Sequence, residues 1–447
     1  MELRKTFSKI FNIIFPFADF LYLLQHEEYS FQRIWFWFPR FFLKRNFQNR
    51  DRLIYTQRAK AIFTLAVLLF IVLNLLCFLY FGLNILVLVV TCLGIPIIIL
   101  ISNILLDPFY DAIKRRIIKK AETVFKSVRG NVKVIAITGS YGKTTVKNFI
   151  EQLVRFSYRT QMVPGNINST IGIANWILNN YKSGTEVLIV EMDSYYPKRI
   201  LESTKLVGPD IAIITNIGDQ HLQRYKTREN LSKSLFELFE FSPQSTIKIT
   251  DNETLEYLRT QKFDTQNILT IEGKLKRTAI SDSNNPNLEY ALLVANILKI
   301  PTEYSDHISK NLTVPDRRQS NKKIHGFDGI DDSYNISFTT ASAGVTEAFN
   351  QSRKNNKKLL VITAGIPELG PLDQYKNRKL GNLLDKKADK IFILKSIYHK
   401  EITSGINNKE KVSSYRNFHS AIQDLQKDYN PDEWFILIQP ELTDLYY

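Results

Sequence analysis

Two glycines, Gly139 and Gly142, sit between an apolar β-branched run and the triplet Lys143, Thr144, Thr145, in Val134-Ile-Ala-Ile-Thr-Gly-Ser-Tyr-Gly-Lys-Thr-Thr-Val-Lys. That order of residue types is a phosphate cradle. Glycine lets the backbone approach a polyphosphate, and the free amides at the helix start point at the anion. Lys143 supplies a point charge near the terminal phosphates, and the Thr144 hydroxyl suits Mg²⁺. The longer form of this loop carries a further glycine five residues before Gly142, where this chain has Ile137. What stands here is the shorter Gly-x-x-Gly-Lys-Thr-Thr form, read as a phosphate-binding loop.

Further polar residues close other apolar runs. Glu191 ends Val187-Leu-Ile-Val-Glu and could hold Mg²⁺ against nucleotide phosphates, or simply be a solvated strand end. Asn216 and His221 follow the next run, in Thr215-Asn-Ile-Gly-Asp-Gln-His, and a lone histidine is more often structural than a ligand. Asp331-Asp-Ser-Tyr-Asn suits a polar substrate or a turn equally well.

The elements that must position these groups alternate strand-like runs with amphipathic stretches. Strands are expected over 132–138, 186–191, 210–215, 246–250, 359–363, 390–394 and 434–438. Apolar strands separated by helical patterns give mostly parallel sheets covered by helices, which bind ligands beyond the strand carboxyl ends. A break near Leu312-Thr-Val-Pro-Asp-Arg-Arg divides this part into a central domain, 123–312, and a C-terminal domain, 313–447.

The 447-residue chain carries a formal charge of +15, which invites a nucleic-acid partner. The basic excess gathers instead around a strongly apolar segment near the N-terminus, so a membrane is expected and nucleic acid is not. Residues 61–106 contain no charged side chain. That is about twice the ~20 residues a helix needs to span a bilayer. Gly82 and Asn84 mark a turn, giving a transmembrane hairpin with helices over 61–81 and 84–106. Arg58 and Lys60 precede it, and Lys114, Arg115, Arg116, Lys119 and Lys120 follow. Positive charge on both flanks puts both ends, and the domains beyond, on the cytoplasmic side. Residues 107–122 read as a basic juxtamembrane linker. Residues 1–60 mix aromatic and basic patches, Trp35-Phe-Trp-Phe followed by Arg40, Lys44, Arg45, Arg50 and Arg52, as interfacial helices do. Cys77 and Cys92 both lie inside the apolar segment, which leaves no disulfide framework or zinc cluster.

Taken in order from about residue 130, these segments resemble the Mur ligase family, ATP-dependent ligases that build the peptidoglycan stem peptide. Ile137-Thr-Gly-Ser-Tyr-Gly-Lys-Thr-Thr looks like the family's phosphate loop, and Pro164-Gly-Asn-Ile-Asn like its Pro-Gly-Asn-x-Asn segment. Asp331-Asp-Ser-Tyr-Asn and Gly365-Ile-Pro-Glu-Leu-Gly are similar to the C-terminal signatures of the dipeptide-adding branch. The resemblance implies a central P-loop ATPase domain, a Rossmann-like C-terminal domain, and ATP and Mg²⁺ as cofactors. It implies nucleotide contacts from Gly139 to Thr145 and from Asn216, Asn287 and Arg317. Magnesium would involve Thr144, Glu191 and His221. Catalysis would rest on Lys143, Glu191 and His221, and substrate contacts on Asn166, Asn168, Asp332 and Asn335. Its partners would be a muropeptide or lipid-linked cell-wall precursor and an amino acid or D-Ala-D-Ala. The implied chemistry is transfer of the ATP γ-phosphate to a carboxylate, then attack of an amine on the acyl phosphate.

The chain departs from the family pattern in three places. Leu235 stands where the family has a carbamylated lysine, fourteen residues after the histidine, and Lys233 should face elsewhere on the helix. Glu191 is followed by Met192-Asp193-Ser194 in place of a Gly-Ala pair, and Ile336-Ser337-Phe338 replaces an Asn-Pro. The family's UDP-sugar-binding domain is replaced by the apolar hairpin. Two other readings follow: a catalytically impaired membrane scaffold, supported by Leu235, and a poly-γ-glutamate synthase-like ligase, which also pairs membrane helices with this loop.

Overall fold

The computed structural model describes residues 16–31, 33–34, 53–82, 84–165, 167–193, 195–271, 286–313, 320–333 and 337–439. They fall into two compact units, one up to Arg116 and one from Ile117 onward. The aromatic and basic stretch 35–52 lies outside the described residues.

The first unit is helical: α1 (Phe17–His26), α2 (Gln57–Phe81), α3 (Ile85–Leu93) and the beginning of α4 (Ile95–Val128). Thr56 caps α2 by accepting the Ala59 N–H at 3.1 Å. Gly82, at φ +65°, ends that helix, and the Asn84 side chain accepts the Leu86 N–H at 2.9 Å to start the next. The return arm expected as one helix over 84–106 is broken at Gly94. The cause is Pro96, which has no N–H for the ladder and favours the first turn of a new helix. Residues 107–122, expected as a linker, are part of the continuous 34-residue α4. Phe20, Leu21 and Leu24 of α1 pack with Ala59, Ile62, Ile95 and Ile99. Thr91 donates to the Asn74 side chain at 2.9 Å, tying α3 to α2, and Arg58 pairs with Asp107 at the base. Beyond that base, Leu75, Leu76, Leu79, Phe81, Leu86 and Val90 face outward. Two helices, Gln57–Phe81 and Ile95–Val128, are long and apolar enough to cross a bilayer by length and composition.

The second unit holds two six-stranded sheets. The first is built from β1 (Lys133–Thr138), β2 (Thr160–Met162), β3 (Val187–Glu191), β4 (Ile211–Ile214), β5 (Ile247–Asp251) and β6 (Ile268–Ile271), all parallel, in the order β2-β3-β1-β4-β5-β6. Its helices are α5 (Lys143–Val154), α6 (Thr170–Asn180), α7 (Arg199–Val207), α8 (Leu222–Tyr225), α9 (Arg228–Glu240), α10 (Asn252–Thr260), α11 (Pro286–Ile297) and α12 (Thr302–Ser309). Side chains alternate across each strand, so Ile135, Ile137, Ile189, Ile211 and Ile213 meet Val146, Phe149 and Ile150 of α5 and Val294 of α11. Val134, Ala136, Leu188, Val190 and Ile214 point the other way, against Ile173 and Ile177 of α6 and Leu235 and Phe239 of α9. Each such isoleucine fully withdrawn from water contributes about 1.5–3 kcal/mol.

The second sheet runs β11-β10-β9-β12-β8-β7, from β7 (Ser320–Ile324), β8 (Phe327–Asp331), β9 (Lys358–Thr363), β10 (Lys390–Leu394), β11 (Val412–Tyr415) and β12 (Trp434–Ile438). Among the described residues, only β7 is antiparallel to its neighbour in this sheet. Helices α13 (Phe338–Lys354), α14 (Asp373–Lys387), α15 (His399–Ser404) and α16 (Phe418–Asp428) accompany it. In both sheets the strand order reverses beside a central strand, which opens a crevice at the carboxyl ends.

Candidate functional site

At the reversal point of the first sheet, β1 is flanked by β3 and β4, and the polar residues that end these strands converge. The chain leaves β1 through Gly139 at φ +137° and enters α5 through Gly142 at φ +84°. A Cβ at Gly139 would lie 2.2 Å from Thr215 Oγ1 and 3.0 Å from the Thr215 amide nitrogen. Only glycine fits there.

Asn216 holds this loop open from behind. Its Oδ1 accepts the Tyr141 N–H at 3.1 Å, its Nδ2 donates to the Tyr141 carbonyl at 2.7 Å, and its own carbonyl accepts the Ser140 N–H at 3.0 Å. Thr215 Oγ1 donates to the Tyr141 carbonyl at 2.6 Å, and Ser140 Oγ accepts the Gly218 N–H at 2.8 Å. The loop is thus fixed before any anion arrives, which spares the ordering cost on binding.

Lys143 is buried, with Nζ donating to the Gly139 carbonyl at 2.6 Å and 3.4 Å from Asp193 Oδ1. Thr144 donates from Oγ1 to Glu191 Oε2 at 2.7 Å. The same carboxylate oxygen is 3.1 Å from Nζ of Lys147, which also donates to the Val163 carbonyl at 3.1 Å. Thr145 is buried in the first turn of α5. Asn287, on α11, crosses over the loop: a Cβ at Gly142 would lie 2.5 Å from its Oδ1. Tyr290, one turn along, anchors α11 by donating to the Thr215 carbonyl at 2.9 Å. Burial, with the Asp251 carboxylate adding to it, holds the Tyr290 hydroxyl well above its usual range, so it stays a donor.

Asn168 joins through its backbone, its carbonyl accepting the Asp193 N–H at 3.1 Å. His221 immediately precedes α8, at φ +59°, and its Nδ1 faces Glu368, in the turn after β9 of the second sheet. Its Nε2 is buried with no hydrogen-bond partner among the described residues. Asp332 follows β8, its N–H donating to the Ile438 carbonyl at 2.9 Å. Beside it Gln439 donates from Nε2 to the Ala341 carbonyl at 2.8 Å, and a Cβ at Gly344 would lie 2.7 Å from Asp332 Oδ2. Asn166, Arg317 and Asn335 lie outside the described residues.

A divalent cation fits this set in a limited way. Thr144 and Glu191 offer adjacent hard oxygens, but no cluster of three or more His, Cys, Asp or Glu is present among the described residues. Phosphate oxygens and water would have to complete the shell, which is how Mg²⁺ is commonly held. Leu235 is in the apolar core and Lys233 is on the surface, 2.6 Å from Glu229. Sequence reasoning missed Lys147, Asp193 and Glu368. Lys147 was visible as the first charged residue after the loop, on the buried face of α5, whereas Asp193 and Glu368 reach their partners by side-chain contacts from the turns after β3 and β9.

The description of the Mur ligase middle domain matches residues 137–291. A UDP-N-acetylmuramoyl-tripeptide--D-alanyl-D-alanine ligase from Bacillus subtilis (strain 168) is 26% identical over 286 residues, 58% of this chain and 62% of that protein. The ligase of the same name from Buchnera aphidicola subsp. Baizongia pistaciae (strain Bp) is 34% identical over 155 residues, 34% of this chain and 33% of that protein. The chain thus spans less than two thirds of the length of these two relatives. The MurF ligase from Thermotoga maritima, solved in complex with ADP, superposes with a TM-score of 0.62 at 21% identity, over 73% of this chain and 80% of that one. That likeness concerns the fold.

Proposed function

We propose that this chain, a Mur ligase by its middle domain and its fold, is an ATP-dependent amide ligase of cell-wall precursor synthesis. The observation that carries this reading is the loop from Gly139 to Thr145, pre-formed by Asn216 and flanked by Thr144 and Glu191 in hydrogen-bond contact. In the reaction proposed, a muropeptide carboxylate oxygen attacks the γ-phosphorus of ATP, the bond to the β-phosphate oxygen breaks, and ADP leaves. The amine of an amino acid or D-Ala-D-Ala then attacks the acyl phosphate. Inorganic phosphate departs from the tetrahedral intermediate and the amine loses a proton.

Catalysis here is positioning and charge neutralisation. Lys143 exchanges the Gly139 carbonyl for the γ-phosphate, and the amides at the start of α5 hold the remaining phosphate oxygens. Thr144 and Glu191 would hold Mg²⁺, with His221 for a second cation; the ion, when bound, neutralises charge on the transferring phosphoryl group. Asn216, Asn287 and Arg317 would complete the nucleotide site. Asn166 and Asn168 would lie toward the acceptor, and Asp332 and Asn335 toward the amine. In this scheme residues 123–312 bind ATP and residues 313–447 bring the amine.

The outward apolar residues of α2 and α3, together with the basic flanks, support a membrane-anchored enzyme with its ligase domains on the cytoplasmic side. A lipid-linked acceptor, arriving in the membrane plane, suits such an anchor. A second reading is favoured by one observation: Leu235 is part of the core, so the position of the second-metal carboxylate carries none. On that reading the protein binds nucleotide or wall intermediates without turnover.

The test uses the full chain in detergent with ATP, Mg²⁺ and muropeptides, UDP-linked and lipid-linked, bearing ¹⁸O in the carboxylate. The ligase reading expects a new amide by mass spectrometry and one ¹⁸O in each phosphate released, both lost in Lys143→Ala. Nucleotide retention with no amide product from any acceptor selects the scaffold.

A further inference from the structure

Glu368 joins the two α/β sheets' turns at one carboxylate. Its Oε2 meets His221 Nδ1, and its Oε1 accepts from Arg224 at 3.0 Å. Its carbonyl accepts the Gln223 N–H at 3.0 Å. The turn that presents it is stiff. Asn377 accepts the Ile366 N–H at 2.8 Å and donates to the Ile366 carbonyl at 3.1 Å, and Asp373 Oδ1 accepts the Leu369 N–H at 3.1 Å. Glu368 itself sits at φ +61°, a strained setting for a residue with a Cβ. Two residues on, Gly370 packs so closely that a Cβ would lie 2.9 Å from the Leu222 carbonyl oxygen. From the other side the Tyr195 ring stands edge-on to His221, centroids 4.8 Å apart, with the Arg224 guanidinium 4.0 Å from the Tyr195 centroid. Lys376 and Asp219 add a second ion pair across the same junction, at 2.8 Å.

We propose that Glu368 is a positioning residue through which the C-terminal sheet's turn sets the tautomer of His221 in the ATP-binding domain. A carboxylate can only accept, so the contact places the proton on Nδ1 and leaves the Nε2 lone pair directed away from Glu368. Nε2 is the ring atom buried without a hydrogen-bond partner among the described residues. An imidazole fixed in this way is ready to bind a cation, as when a carboxylate orients a metal-binding histidine. The docked turn therefore prepares the histidine, and undocking releases it. This inference rests on the proposed ligase reading only where the cation is concerned; the tautomer stands on the contact itself.

Two readouts on the full chain test it. The first is the ¹⁵N spectrum of histidine-labelled protein without nucleotide, at a pH well above the ordinary imidazole range. The chain has six histidines, and His221→Ala assigns the signal. The wild type should show His221 protonated on Nδ1, Glu368→Ala should move the proton largely to Nε2, and Glu368→Gln, which keeps a carbonyl acceptor, should stay near wild type. The second is Mn²⁺ titration by electron paramagnetic resonance with a non-hydrolysable ATP analogue. Glu368→Ala should weaken the His221-dependent Mn²⁺ by about 10–100-fold, with analogue affinity within about twofold of wild type. Arg224→Met, which loosens the junction but leaves the His221 contact, should spare most of that affinity.

An unchanged histidine spectrum in Glu368→Ala overturns the proposal. So does a Mn²⁺ titration that Glu368→Ala leaves intact, or one that Arg224→Met and Glu368→Ala weaken equally, as a mere staple would. Should the wild type fail to retain the analogue, the ATP reading fails, and the spectrum alone decides the role of Glu368.

Discussion

Lys143 and Asp193 face one another at 3.4 Å, both withdrawn from solvent, in the turn where a phosphate loop needs its ammonium free. Asp193 belongs to the Met192-Asp193-Ser194 departure after Glu191. A γ-phosphate must draw Lys143 away from this carboxylate and from the Gly139 carbonyl. Replacing Asp193 by Asn removes the competing charge and keeps the shape. We expect Asp193→Asn to bind ATP about three- to tenfold more tightly by calorimetric titration, roughly 1 kcal/mol. Weaker binding would mean that Asp193 orients Lys143 and does not compete for it.

Gly142 and Asn287 give a test of the loop's geometry. Gly142→Ala places a methyl 2.5 Å from Asn287 Oδ1 and imposes φ +84° on a residue with a Cβ. Chemical denaturation should show a loss of about 2–3 kcal/mol. Adding Asn287→Ala relieves the clash but not the backbone strain, so roughly 1–2 kcal/mol of the loss should persist. Full additivity of the two substitutions would contradict the crossing of Asn287 over the loop.

Lys147 and Glu191 form an ion pair with side chains 0% and 3% exposed. Removing one partner strands the other, so Lys147→Met should cost about 3–5 kcal/mol. The double variant Lys147→Met with Glu191→Gln should recover much of that, because no buried charge is left. Unfolding free energies of the four proteins in the cycle measure the coupling, and a coupling near zero refutes the pair.

Asp373 gives a pH signature. Burial, with Glu368 and Glu401 adding to it and the Leu369 N–H opposing, pushes its carboxyl up from an ordinary 3.8 to about 6. The folded value lies above the unfolded one, so its contribution is fully present below pH ~3.8 and lost as pH rises through about 6. The full shift corresponds to roughly 3 kcal/mol. Partial exposure reduces this to about 1 kcal/mol. Asp373→Asn should therefore raise Tm by roughly 2–4 °C above pH 7 and by nothing near pH 4. A gain that is the same at both pH values would contradict the shift.

Much of this architecture could be read from the chain because its inner strands are unbroken apolar runs. β1, β3, β4, β9, β10 and β12 fall within a residue or so of where the pattern places them. The edge strands β2, β6 and β11 are short and mixed in polarity, so nothing in their periodicity separates them from loop. β8, Phe-Asp-Gly-Ile-Asp, is not among the expected strands, because its strand character comes from its neighbours. A Cβ at Gly329 would lie 2.5 Å from the Ile436 carbonyl oxygen of β12, so a residue that favours turns is required inside a sheet. The phosphate loop was visible in its own residues. Glu368 was not, since nothing in Gly365-Ile-Pro-Glu-Leu-Gly shows that the turn meets His221 across 147 positions of chain.

Equilibrium titration of the purified full chain with ATP and Mg²⁺ bears most directly on the ligase reading, alongside Lys143→Ala as its control. The account predicts saturable binding at one site per chain, weakened at least about 100-fold by the substitution, which removes a charge-assisted phosphate contact. Failure to retain ATP at any magnesium concentration, or equal binding by Lys143→Ala, would contradict it.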